Sequence, residues 1–166
     1  MEAMQITTRH SYAAAPEAVV AMMADEVWLT EVARQAGAER WEVSVTESGS
    51  FVHAELPAPD KARRFTGASL AIDLTIVWQP ADPDGSHHGR ITVQIPGMPA
   101  SMAGTGMMTP AAGLTTPRTE VDYEAEFSIN VPIIGRSLES AAAPYVRRVI
   151  NSQQSVGNDY LAGRLT

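Results

Sequence analysis

The sequence predicts an α+β fold: a curved, seven-stranded antiparallel sheet wrapped around one long C-terminal helix, with two short helices after the first strand. Three observations point there. Period-two alternation recurs along most of the chain, and its segments are joined by hairpin-length turns. Helical spacing interrupts it once, after the first strand. A much longer helical pattern then closes the chain, from Val131 to Arg164.

Met4, Ile6, Thr8, His10 and Tyr12 alternate with Gln5, Thr7, Arg9 and Ser11, which defines the first strand. Ala15-Pro16-Glu17 reads as a helix start, with Pro early and an acid in the first turn. The expected helices cover Pro16–Ala24 and Glu26–Gln35, with Asp25 capping the second and Gly37 stopping it. Trp41, Val43 and Val45 then alternate with Glu42, Ser44 and Thr46, and Glu47-Ser48-Gly49-Ser50 turns into Phe51–Leu56. A proline-punctuated connection follows and carries the basic cluster Lys61-Ala62-Arg63-Arg64.

Leu70, Ile72, Leu74, Ile76 and Trp78 form the clearest alternating strand, and His88–Ile95 is its hairpin partner. Ala100–Thr109 is a Gly- and Met-rich strand. Thr119, Val121, Tyr123, Ala125, Phe127 and Ile129 alternate with Glu120, Asp122, Glu124, Glu126 and Ser128, so the last strand has one apolar and one acidic face. In the final segment apolar residues recur at 134, 138, 141, 142, 145, 149, 156 and 160. Pro132 suits a first turn and Gly163 a stop. Such a helix spans about 45 Å at about 1.5 Å per residue. Pro144 predicts a kink, or two helices joined near Ala143. Arg136, Glu139, Arg148 and Gln154 are expected on its outer surface.

At 166 residues the chain is expected to form a single domain over residues 1–166 with a sizeable core. A net charge of -7 argues against a nucleic-acid partner, because neutralising phosphates needs clustered Lys and Arg. No stretch is apolar enough to span a bilayer and no signal pattern opens the chain, so integral membrane association is not expected and the cytoplasm is. With no Cys, disulfides and thiolate chemistry are absent. Four scattered His residues lack metal-ligand spacing, so neither a metal nor another cofactor is expected.

The order resembles the START-like superfamily with its helix-grip fold, which includes polyketide cyclases, the birch-pollen-allergen family and lipid-transfer domains. The resemblance is carried by Ala15-Pro16-Glu17-Ala18-Val19, by Asp25 followed by Trp28, and by Val131-Pro132-Ile133-Ile134-Gly135-Arg136-Ser137-Leu138-Glu139. More narrowly, the Trp78-Gln79 strand end, Gly97-Met98-Pro99 with Gly104, and Pro132, Gly135 and Glu139 resemble an actinobacterial domain-of-unknown-function branch. The resemblance implies a cavity between sheet and C-terminal helix, and names no catalytic motif.

Candidate residues follow from that cavity. His10 and His53 sit on alternating strands where either could face inward as a polar anchor or general base; a hydrogen-bonded core or rim histidine is the competing reading. His87 and His88 read as hairpin surface. Tyr123 and Tyr145 are expected as ligand contacts across the cavity, with Phe127, Trp78 and Leu138 in its walls. Met98 and Met102 supply adaptable apolar surface, with gap-filling core as the alternative. The Glu120, Asp122, Glu124 and Glu126 row reads as a solvated convex face, with Arg9 beside it. The expected function is binding of a hydrophobic small molecule such as a lipid or polyketide-like compound. The rivals are a cyclase or dehydratase using His10, His53 or Tyr123, and an interaction module with a filled interior. The oligomeric state is open, a homodimer among the options.

Overall fold

The computed structural model describes residues 4–58, 60, 63–111 and 115–165; within these, the side chains of residues 65, 66, 141 and 145 are outside the description. In chain order the elements are β1 (Met4–Tyr12), α1 (Pro16–Met23), α2 (Glu26–Gln35), β2 (Arg40–Thr46), β3 (Gly49–Pro57), α3 (Arg63–Thr66), β4 (Ser69–Trp78), β5 (His87–Gln94), β6 (Ala100–Pro110), β7 (Thr119–Ile129) and α4 (Gly135–Leu161). The predicted order stands. The one-turn α3 falls within what the sequence presents as a connection, of which Lys61 and Ala62 lie outside the described residues.

All seven strands join one antiparallel sheet in the order β1-β7-β6-β5-β4-β3-β2. Strands β2 through β7 are neighbours in sequence order, and β1 closes against β7. The sheet curves around α4, a 27-residue helix about 40 Å long at about 1.5 Å per residue. Because side chains alternate between faces, one parity of each strand meets the helix and the other meets solvent. Ile6, Val52, Ile76, Val121 and Phe127 are therefore buried, while Glu124 and Glu126 are exposed. The outward acidic row is partly offset by the β1–β7 register, which sets Arg9 against Asp122 at 2.6 Å and within 3.4 Å of Glu120.

Local chemistry explains most boundaries. Pro16 opens α1, and the Asp25 carboxylate accepts from the Val27 amide at 2.9 Å to cap α2. Tyr160 of α4 donates to the other Asp25 oxygen, so the same cap ties α2 to the last helix. Gly49 ends the tight β2–β3 turn with φ 141°, and a Cβ there would lie 2.7 Å from the Ile76 carbonyl oxygen. Of the two expectations at Pro144, a kink or two helices joined near Ala143, the second is overturned, since α4 runs as one helix through Pro144. The carbonyl that Pro144 leaves without its helical donor belongs to Ser140, and both residues are exposed, so water can satisfy it. Helix α4 starts at Gly135 rather than at Pro132, after a turn closed by Gly135 N–H to Val131 O at 2.9 Å. Glu139, expected on the surface, is 6% exposed and accepts from the Ile129 amide at 3.1 Å. That carboxylate fastens the first turn of α4 to the end of β7.

The interior consists of two apolar clusters. One gathers Tyr12, Met22, Met23, Trp28, Leu29, Met108 and Val156 beneath α1 and α2. The other gathers Ile6, Phe127, Ile129 and Leu138 at the opposite end of the sheet. Between them, aliphatic residues of both clusters are only partly buried. That incomplete packing is the site.

Candidate functional site: an apolar cavity under the C-terminal helix

A cavity of about 180 Å³ lies between the concave face of the sheet and α4. Its sheet side is made by Leu70, Ile72 and Leu74 of β4, Ile91 and Val93 of β5, and Met102 of β6. Val146, Val149 and Ile150 of α4 form its roof. These follow period two on the strands and helical spacing on α4, so each pattern that builds its element also aims aliphatic side chains at this space. A smaller chamber of about 50 Å³ adjoins it beneath α2, sharing Ala36, Leu56, Ile72, Leu74, Val149 and Gln153 as walls and adding Trp28, Leu29 and Val32.

Gly104 lines the cavity without a side chain of its own. It stands inward on β6 opposite Ala125, where a side chain would otherwise project, and a Cβ would sit 2.9 Å from the Ala125 Cβ. Two residues on, Gly106 admits the rings of Trp78 and Tyr123, 2.8 and 3.2 Å from where its Cβ would be.

The polar side chains that reach this wall are few: Thr8, Tyr123, Arg148 and Gln153 among the described residues. Glu124 and Thr105 also border it, but both are exposed on the opposite face and contribute backbone beside Gly104. Thr8 and Tyr123 are direct partners in the β1–β7 register. Burial raises the Tyr123 phenol well above its ordinary pKa, so it keeps its proton. Behind it, His10 meets the Tyr123 ring edge-to-face at 5.3 Å, and His10 Nδ1 lies 3.4 Å from the Tyr12 hydroxyl. His10 is 1% exposed and its Nε2 has no partner among the described residues; burial lowers its pKa to about 4, so the ring is neutral near pH 7.

Of the nine residues expected to line the cavity, the structure brings Met102, Tyr123 and Phe127 to its wall. His10 faces inward but is packed behind Tyr123. Trp78 faces inward at the far end, where its Nε1–H donates to Met23 Sδ at 3.1 Å and its ring tilts against Tyr123. Leu138 and Met98 belong to the packed end cluster rather than to the wall. The side chain of Tyr145 lies outside the described residues.

His53 requires a correction. It shares the outward parity of β3 with Phe51 and Glu55, so it lies on the convex surface, where its Nδ1 contacts Asp73 at 2.5 Å across the β3–β4 pair. That hydrogen bond, with nearby Glu55 and Glu42 adding to it, raises its pKa. Asp73→Asn is expected to bring the His53 pKa back down toward its ordinary value of 6.5 in a proton NMR titration, with no effect on the cavity. A second correction concerns His87, which is 6% exposed and bonds the Gln79 carbonyl at 2.8 Å through Nδ1; His88 alone is surface, beside Asp82.

Alternation does not single out the aliphatic wall, because the pattern looks the same whether a side chain meets another or meets empty space. The available signal is negative: Leu74, Ile91 and Val93 share the layer with small residues, Gly104 and Ala125, that cannot fill the space above them.

A curved antiparallel sheet gripping a C-terminal helix, with an apolar cavity between them, is a START-like fold. Solved structures bear this out. A crystallised protein from Thermus thermophilus matches with TM-score 0.55 and 13% identity over 93% of this chain and 97% of that one. A START superfamily protein from Mycobacterium smegmatis matches with TM-score 0.51 and 9% identity over 91% and 94%. A conserved protein from Geobacillus kaustophilus gives TM-score 0.51 and 15% identity over 94% and 97%. At these identities the likeness is one of fold. The chain belongs to the family described as Protein of unknown function (DUF2505), whose model matches residues 7–161. No curated protein matches the sequence. No helix among the described residues is long and apolar enough to cross a membrane.

Proposed function

We propose that the protein binds a hydrophobic small molecule, of lipid or polyketide-like character, in the cavity under α4. The observation that carries this reading is the cavity itself. An apolar void of roughly 150 Å³ is large enough to take up benzene, and this one, at about 180 Å³, adjoins a second chamber. Leaving such a space empty costs the contacts that its lining forgoes, at about 24 cal/mol per Å³. A ligand restores those contacts, mainly through apolar burial at about 25 cal/mol per Å². The open space argues for binding over an interaction module with a filled interior. Cytoplasmic location belongs to the same proposal.

Native mass spectrometry of freshly purified protein, followed by organic extraction, tests it. The expected result is a discrete added mass that extraction releases as an apolar compound. A bare mass, together with no uptake of ethylbenzene by ligand-observed NMR, would overturn it.

A further inference from the structure

The cavity wall is almost wholly aliphatic, and against that background its polar atoms are specific. A half-buried polar atom on an apolar wall is available to a ligand, and one neutral hydrogen bond to it is worth about 0.5–1.5 kcal/mol. The Tyr123 hydroxyl makes no hydrogen bond with the described residues, although its ring is packed against His10, Trp78 and Gly106. Thr8, beside it in register, makes none either, nor does Gln153, which lines both chambers. The neighbouring polar residues behave differently. Tyr160 bonds Asp25, Thr119 bonds the Ala14 carbonyl, and Gln154 accepts from the Ser11 amide at 2.7 Å. The packed interior also leaves His10 Nε2, Trp28 Nε1 and His87 Nε2 without partners among the described residues, but the unpaired Tyr123 hydroxyl belongs to a residue of the cavity wall, where a ligand can reach it.

We infer that the ligand carries a neutral acceptor oxygen, a carbonyl in its simplest form, and that Tyr123 donates a hydrogen bond to it. This rests on the binding reading above and names the chemistry of the ligand. The donor role follows from the surroundings: a phenol enclosed by apolar groups stays protonated and has its O–H to give. Neutrality follows as well. Beside Tyr123 itself the ionisable ring is His10, which is uncharged behind it, and a carboxylate accepting from the phenol would be desolvated without a matching charge at that point of the wall. Arg148 is the one cationic side chain on the wall among the described residues, and it is exposed.

The test uses a near-isosteric pair, acetophenone and ethylbenzene, which differ by a carbonyl in place of a methylene. Dissociation constants are measured by NMR titration of the full chain and of Tyr123→Phe, which keeps the ring packing. The expected result is that Tyr123→Phe weakens acetophenone about fivefold, the worth of one neutral hydrogen bond, and leaves ethylbenzene within about twofold. The carbonyl carbon of labelled acetophenone bound to the unaltered protein is also expected downfield of its position in hydrocarbon solvent, a readout that does not depend on the variant folding. If both compounds bind and the variant treats them alike, with no downfield shift, the carbonyl inference is overturned while the cavity reading stands. If neither compound binds the unaltered protein, both are overturned.

Discussion

Replacing Val149 with Trp is expected to lower ethylbenzene affinity at least tenfold while leaving the protein folded and somewhat more stable. Val149 roofs both chambers from the middle of α4, so a larger side chain there grows into the space the ligand would occupy. Small-to-large changes in a filled core cost about 1–3 kcal/mol through overpacking. Here the added atoms meet a void, and filling about 80 Å³ at about 24 cal/mol per Å³ recovers up to about 2 kcal/mol. Gln153 lines the same wall and can take the indole N–H. Affinity by NMR titration and stability by urea unfolding check the two halves separately. Ethylbenzene binding to Val149→Trp with unchanged affinity would place its site elsewhere and sink the cavity reading.

The second large effect concerns pH. His10 has a folded-state pKa of about 4 against an ordinary 6.5, because burial penalises its charged form. In the unfolded chain it takes up a proton near pH 6.5, and in the folded protein only near pH 4. The unfolded state therefore binds more protons between those values, and stability falls as pH falls through that window. At about 1.4 kcal/mol per unit, the shift amounts to about 3 kcal/mol, fully present above about pH 6.5 and gone below about pH 4. His53 acts in the opposite sense: its raised pKa adds stability that is present below 6.5 and lost as pH climbs past its folded value. Being exposed on the convex face, it contributes little. Urea unfolding at about pH 7, 5.5 and 4 is expected to show the loss, and His10→Gln to flatten it. The carboxylates of Glu31 and Asp84, lowered by their hydrogen bonds to Arg34 and Ser86, titrate at the acid end in both proteins and cancel in the comparison. An unchanged slope in His10→Gln would mean that the acid sensitivity lies in other groups.

The same histidine shows where reading a sequence stops. His10 and His53 present identical credentials along the chain, each an imidazole on an alternating strand. Parity decides between them: β1 buries its even residues through His10, and β3 buries Ser50, Val52 and Ala54, which turns His53 outward. Which parity faces in is legible for β1, β4 and β7, where one parity is plainly apolar. On β3, Phe51 and Val52 point to opposite sides, so composition does not choose, and pairing with β4 does.

The sequence by itself determined the element order, the α+β class, the cap at Asp25, the hairpin at Gly49 and the outward acidic row of β7. All of these rest on local chemistry: side-chain period, backbone freedom, and the hydrogen bonds open to a carboxylate at a helix start. Only the tertiary structure decided that α4 passes through Pro144 unbroken, since that turns on Ser140 and Pro144 both facing solvent. It also decided that Glu139 is buried against the Ile129 amide, and that a cavity exists at all. A void is a property of what two surfaces fail to fill. The aliphatic side chains of β4, β5 and α4 carry the same pattern whether they touch or stand apart. What separates them is how completely sheet and helix pack, in clusters at the two ends and with space between them, where Gly104 brings no side chain.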